Sequence, residues 1–386
     1  MKKTSTLAAL LIGATLVFSI APMVIMVHAD TSVTTSCSQQ VTLAARAHQT
    51  TFDQQAAAAT VTSDSQFAQY QQYNPVFSSV YDNWTFDANC NVTLVSVTFV
   101  YQLSNSSLLQ VHENAQANEV TSMSIQPNLG AATFNHNDGN KLWSGYETTY
   151  NSGATTAEYQ ADATWSVPAV SDPYSGGCEN TPDCELAVWV GLINSPLASA
   201  SSVAQAGSLS QLSCGVGTAC TQGYGAAWNY SLWYEFYPQM STIYQCDPSG
   251  AGDSITTYVT NEASYLGSGY IDYWALSVTD STNNKACTVN GYYDSGIGVP
   301  YYTDFILERP EYGIPYGYTL PKFGSVTMTA GMWAGSPYNS QTNGYYNLYV
   351  MENGASCPPT CIINIGSSAI SSSNAFTSTW KSSSGT

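Results

Sequence analysis

From residue 143 onward the chain is broken into short runs of Tyr, Val, Thr, Trp and Ile, separated by Gly, Pro, Asn and Ser. No stretch there keeps the apolar period of a helix, so the pattern predicts strands at 158–167, 186–193, 228–237, 254–261, 270–279, 304–309 and 325–329. Strands at this density over about 240 residues, without an internal repeat, pack best as two antiparallel sheets. The predicted fold class is all-β, a two-sheet antiparallel β-sandwich.

Residues 30–140 have a different texture, with a Gln/Ala-rich, helix-prone stretch at 38–72 and an alternating strand at 92–101. They predict a smaller, separate mixed unit. The run Asn135-His136-Asn137-Asp138-Gly139-Asn140 is polar and turn-forming, which reads as an exposed, cleavable linker with its boundary at 135–143. Residues 1–29 read as a signal peptide: Lys2 and Lys3, an apolar stretch at 7–27, and a small-residue cleavage site at Ala29. The chain is therefore expected to be secreted. Left uncleaved, the same stretch is long enough to act as a membrane anchor.

Export fits the ten cysteines. Cys178/Cys184, Cys214/Cys220 and Cys357/Cys361 bracket short loops, leaving Cys246/Cys287 and Cys37/Cys90 as longer-range candidates. Charged residues make up only 9% of the chain, acids outnumber bases 26 to 8, and the net charge is −18. Solubility must then rest on Ser, Thr, Asn, Gln and the 28 Tyr, whose side chains do not ionise in acid. Protonating the carboxyls would also remove the anionic self-repulsion, so this surface suits an acidic milieu and argues against nucleic-acid partners.

The four histidines are His28, His48, His112 and His136, so the β-rich region contains none. That removes Ser-His-Asp and Cys-His catalysis from it, together with His-based zinc sites, and the expectation is no metal and no cofactor. A paired-aspartate site is also unsupported, because Asp294-Ser295-Gly296 is a single copy. Two strands carry carboxylates instead. Alternation puts Trp233, Glu235 and Tyr237 on one face with Tyr234 and Phe236 on the other, and puts Asp304, Ile306 and Glu308 on one face. With both faces of 230–238 apolar, Glu235 is predicted to be desolvated.

In order along the chain come Trp143-Ser144-Gly145-Tyr146, Ala163-Thr164-Trp165-Ser166-Val167-Pro168, Trp189-Val190-Gly191-Leu192, Val203-Ala204-Gln205-Ala206-Gly207, and the strands around Glu235 and Glu308. This set resembles the eqolisins, the glutamic peptidases active in acid. The resemblance implies a lectin-like sandwich, Gln205 and Glu308 as the catalytic pair, and Trp189, Trp233, Glu235 and Tyr237 as cleft residues. It also implies that residues 30–140 are a propeptide and 141–386 the catalytic domain. The chain departs from the pattern at Ile193-Asn194-Ser195, where an acidic residue is usual, and carries an insert with Cys214 and Cys220.

On this reading the enzyme is a monomeric acid endopeptidase acting on proteins or peptides. Glu308 activates water as a general base and then protonates the leaving amine, while the non-titrating Gln205 amide stabilises the oxyanion. Two alternatives stay open on residues alone: a glycoside hydrolase using Glu235 and Glu308, or a non-catalytic carbohydrate-binding surface protein.

Overall fold

The computed structural model describes residues 36–104, 107–117, 119–127, 143–149, 158–171, 184–193, 202–213, 227–237, 244–265, 270–292, 300, 302–310, 320–334, 339–340, 346–349, 351–353, 362–368, 371 and 375–381. The signal segment, the 135–140 linker, Asp294-Ser295-Gly296 and cysteines 178, 214, 220, 357 and 361 lie outside these residues.

Helices α1 (Cys37–Thr51) and α2 (Gln54–Ser63) and a 3-10 turn (Phe67–Tyr73) open the described chain. A capping box starts α1, with Ser36 and Gln39 each accepting from the other's backbone N–H; the Asp53 side chain caps α2. Strands β1 (Val76–Phe86), β2 (Val92–Gln102), β3 (Ser107–Asn114) and β4 (Glu119–Pro127) follow as a meander. After the linker come β5 (Trp143–Thr149), β6 (Glu158–Ser166), β7 (Val170–Ser171), β8 (Glu185–Ile193), β9 (Val203–Ser213), β10 (Ala227–Tyr237) and β11 (Tyr244–Pro248). The chain continues with β12 (Ser254–Tyr265), β13 (Tyr270–Asp280), β14 (Lys285–Tyr292), β15 (Tyr302–Glu308), β16 (Lys322–Phe323) and β17 (Ser325–Ala334). It closes with β18 (Asn339–Ser340), β19 (Tyr346–Tyr349), β20 (Met351–Asn353), β21 (Ile362–Ser367) and β22 (Ala375–Trp380). Every strand predicted above is present.

Among the described residues these strands form a seven-stranded front sheet, β11-β10-β9-β8-β15-β5-β19, a 13-stranded back sheet and a two-stranded pair, β16-β7. The back sheet runs β20-β21-β22-β17-β6-β12-β13-β14-β1-β2-β3-β4, with β18 beside β17. All of the pairings are antiparallel, so the all-β sandwich holds. Its core lies between the sheets: Val188, Val190, Ala204, Ala206, Leu232, Tyr234 and Phe236 of the front sheet pack against Ala161, Ala163, Trp165, Val259, Trp274, Leu276 and Val289 of the back sheet.

The N-terminal segment has the expected mixed composition but is not a separate body, since residues 36–386 form one compact unit. Composition distinguishes the two regions, yet strand pairing is made by backbone groups that do not register composition. β1 continues the back sheet by pairing with β14, matching Asn83 to Cys287 and Trp84 to Ala286. Tyr81, Val100 and Leu108 extend the inter-sheet core. On the outer side, Val80, Phe99, Leu109 and Val111 are covered by Val61 and Phe67 of the helical layer. Polar contacts join the segment to the rest: the Trp84 indole donates to Thr288 Oγ1 at 3.0 Å, Gln110 Nε2 to the Gln245 carbonyl at 2.9 Å, and Ser79 meets the Tyr234 hydroxyl at 3.1 Å. Arg46 lies 5.7 Å from the Tyr273 ring centroid.

Two disulfides are formed as expected, Cys37–Cys90 within the segment and Cys246–Cys287 within the later region, and Cys184 is also disulfide-bonded. Neither described bridge with both partners assigned crosses the linker, while one sheet and one core do. A cut within 128–142 is therefore expected to leave two pieces that co-elute under native conditions and separate only in denaturant. Size-exclusion chromatography after limited proteolysis checks this, and separation without denaturant would contradict it.

Candidate active site

The front sheet has two buried faces. One joins the inter-sheet core; the other carries a second apolar cluster of Trp143, Ala187, Trp189, Ile193, Val203, Leu209, Trp233 and Ile306. Alternation along β8, β9, β10 and β15 puts Trp189, Gln205, Glu235 and Glu308 on this outer face, and within β10 and β15 it is the alternation the sequence predicts. All four are buried, with Glu308 at 5% exposure, while Tyr237 and Tyr302 at one margin are half-buried.

Strand register sorts these side chains into rows. Glu147, Asp304, Gly191, Gln205 and Glu235 are successive cross-strand partners over β5, β15, β8, β9 and β10. The next row reads Gly145, Ile306, Trp189, Gly207 and Trp233, and the one beyond holds Trp143, Glu308, Ala187, Leu209 and Ser231. Gly145 has φ +145° and its missing side chain would collide with the Phe305 carbonyl, so only glycine fits there.

Trp189 connects the outer two of these rows. Its Cζ3 edge lies against Gly191, where an added Cβ would stand 2.9 Å from it, and its indole N–H donates to Glu308 Oε2 at 2.7 Å. Gln205 bonds elsewhere, its Nε2 donating to Glu235 Oε2 at 2.6 Å. The two sequence-predicted residues Gln205 and Glu308 are thus each held by a neighbour, with the indole between their rows. A second amide–carboxylate pair, Gln211 donating to Glu185, sits on the same face one row beyond Glu308.

Burial dominates the electrostatics. It pushes the Glu235 carboxyl up to about 8; the Gln205 bond opposes this and the Glu308 charge adds to it. Burial also raises Asp304 well above the usual carboxylate range, and the Glu147 charge across the strand pair raises it further. Near the junction with the N-terminal segment, burial raises Asp247 to about 6. Glu147 and its opposition to Asp304 were not singled out in the sequence, although alternation from Trp143 through Gly145 puts Glu147 on this face. Among the described residues, no group of three or more His, Cys, Asp or Glu side chains could hold a metal ion.

An amide, an indole and buried carboxyls, without histidine, share this face. Residues 141–379 match the Peptidase A4 family, and the chain belongs to that family. Among solved structures it is similar to scytalido-glutamic peptidase, crystallised with a transition-state analogue inhibitor, at 16% identity and a TM-score of 0.41, covering 62% of this chain and 98% of that one. Nothing among the curated proteins matches. The chain is a glutamic endopeptidase by family, a hydrolase whose substrates are proteins or peptides.

The raised carboxyls carry a stability consequence. Between the ordinary carboxylate range and about pH 8, folded Glu235 keeps a proton that the unfolded chain releases. Its contribution is therefore present in acid and is lost as pH rises through that window. Tm is expected to fall from about pH 4 to 8, and Glu235→Gln to flatten the fall, each unit of raised pKa being worth ~1.4 kcal/mol. Thermal melts across pH test this; equal slopes for both proteins would refute it.

Proposed function

We propose that this protein is a secreted acid endopeptidase in which Glu308 handles the protons and Gln205 stabilises the oxyanion. The observation that carries this reading is the pair of anchored side chains on one face, Gln205 fixed by Glu235 and Glu308 fixed by Trp189. A general base must hold its carboxylate in one direction to align a water, and the 2.7 Å indole donor does that for Glu308. The same carboxyl, protonated in that step, then gives the proton to the leaving amine.

Gln205 uses one amide hydrogen on Glu235 and keeps the second for the developing oxyanion. Burial makes Glu235 neutral in acid, so no anion stands beside the oxyanion as it forms. Trp189, Trp233 and Tyr237 would then line the substrate's path. Export through the 1–29 segment and cleavage at 135–143 complete the proposal, with residues 30–140 as a propeptide. Two disulfides fit an extracellular chain, and no helix of the described residues is long and apolar enough to cross a membrane.

Single substitutions test the roles. Glu308→Gln is expected to abolish turnover in a folded protein, and Gln205→Ala to lower kcat by on the order of 10²-fold with a smaller change in KM. Glu235→Gln should cost less than Glu308→Gln, since glutamine still accepts from Gln205. Peptide cleavage in acid, with folding checked by circular dichroism, decides. Near-normal kcat for folded Gln205→Ala would refute the pair, and essential Glu235 with dispensable Gln205 would point to glycoside chemistry.

A further inference from the structure

We propose that Asp304 is a further substrate-contacting residue, one whose single carboxyl group holds both the N–H and the C=O of an extended substrate residue. This rests on the reading of Gln205 and Glu308 as the reacting pair.

The placement comes first. Asp304 stands in the same cross-strand row as Gln205, two strands away, with only Gly191 between them. The Trp189 ring edge and Val203 lie over that glycine. The adjacent row contains Tyr302 and Tyr237, the half-buried margin of this face, so Asp304 and Gln205 belong to the first row behind it.

The second observation is the state of the carboxyl. Asp304 is 0% exposed, and neither Oδ1 nor Oδ2 has a hydrogen-bond partner among the described residues. Gln205 Oε1 and Glu235 Oε1 in the same row are also without one. A side chain serving only the fold would gain stability by losing such atoms, because a buried polar group without a partner is a cost that an apolar one of equal shape avoids. Position 304 instead keeps two bonding atoms in the row of Gln205.

The chemistry fits a main chain. The carboxylate facing Asp304 across the strand pair is Glu147 from β5, and desolvation with the Glu147 charge raises the Asp304 carboxyl well above its usual range, so it is protonated in acid. A neutral carboxyl is one donor and one acceptor. In an antiparallel pair each bonded residue turns its N–H and C=O to the same side, so such a carboxyl copies the edge of one strand residue. Two strand spacings separate Asp304 from Gln205 by ~10 Å, about three residues of extended chain. With Gln205 on the scissile carbonyl, Asp304 grips a residue about three positions away.

The test uses two shape-conserving variants of the full chain. Asp304→Leu removes donor and acceptor and Asp304→Asn keeps both. On peptides of about eight residues, Asp304→Leu is expected to raise KM about tenfold with kcat little changed, while Asp304→Asn stays within about threefold of the parent. Tm of Asp304→Leu should match or exceed the parent's. In the non-cleaving Glu308→Gln background, calorimetry with the same peptide should show Asp304→Leu weakening Kd by a similar factor. KM and Kd both unchanged in Asp304→Leu, a lowered Tm, or an Asn variant as impaired as the Leu variant would each overturn the assignment. Failure of the parent to cleave and of Glu308→Gln to bind would instead overturn the Gln205/Glu308 reading, and this one with it.

Discussion

The Trp189 indole is the contact on which the arrangement of the front sheet depends. It sits in the middle row of the outer face, touches Gly191 in the row of Gln205, and donates to Glu308 in the row beyond. Any side chain at 191 would push the ring and turn its N–H away from the carboxylate. Gly207 serves from the other side: it lies between Trp189 and Trp233 in register, and a side chain there would strike the Trp189 backbone. Glycines in a strand ordinarily weaken it. Here they let a large ring lie close to the sheet and span two rows of polar groups.

A second constraint is that this face is both polar and buried. Burial keeps Glu235 and Asp304 neutral until the solution is above the usual carboxylate range. The low charge of the whole chain acts in the same direction, because a surface of hydroxyls, amides and phenols is unaffected when carboxylates protonate. Site and surface thus suit the same condition by different means.

Period-two patterning made the sandwich readable, and it correctly assigned faces within 230–238 and 304–309, where both elements lie in the sheet and no bulge intervenes between their key residues. The absence of histidine restricted the chemistry. What the sequence did not show was register, which is set by which strands meet. The row joining Glu147, Asp304, Gln205 and Glu235 draws on four strands distant in sequence, and so it emerges only from pairing. Continuity between the N-terminal strands and β14 was hidden for the same reason. The shift in composition near residue 140 suggested a boundary that the backbone hydrogen bonds ignore.

That continuity changes which strand faces solvent at the end of the back sheet. Without the N-terminal segment, β14 would be terminal, a run containing Ala286, Cys287 and Val289 with a full row of unpaired backbone groups. With it, the outermost described strand is β4, where Thr121, Ser122, Ser124 and Ile125 are exposed and a proline closes the run. Open apolar edges recruit other chains into intermolecular sheets, whereas polar and proline-ended ones do not. During synthesis the segment is made first, so it is ready to cover β14 as that strand leaves the ribosome. In the chain as described, the segment covers the β14 edge.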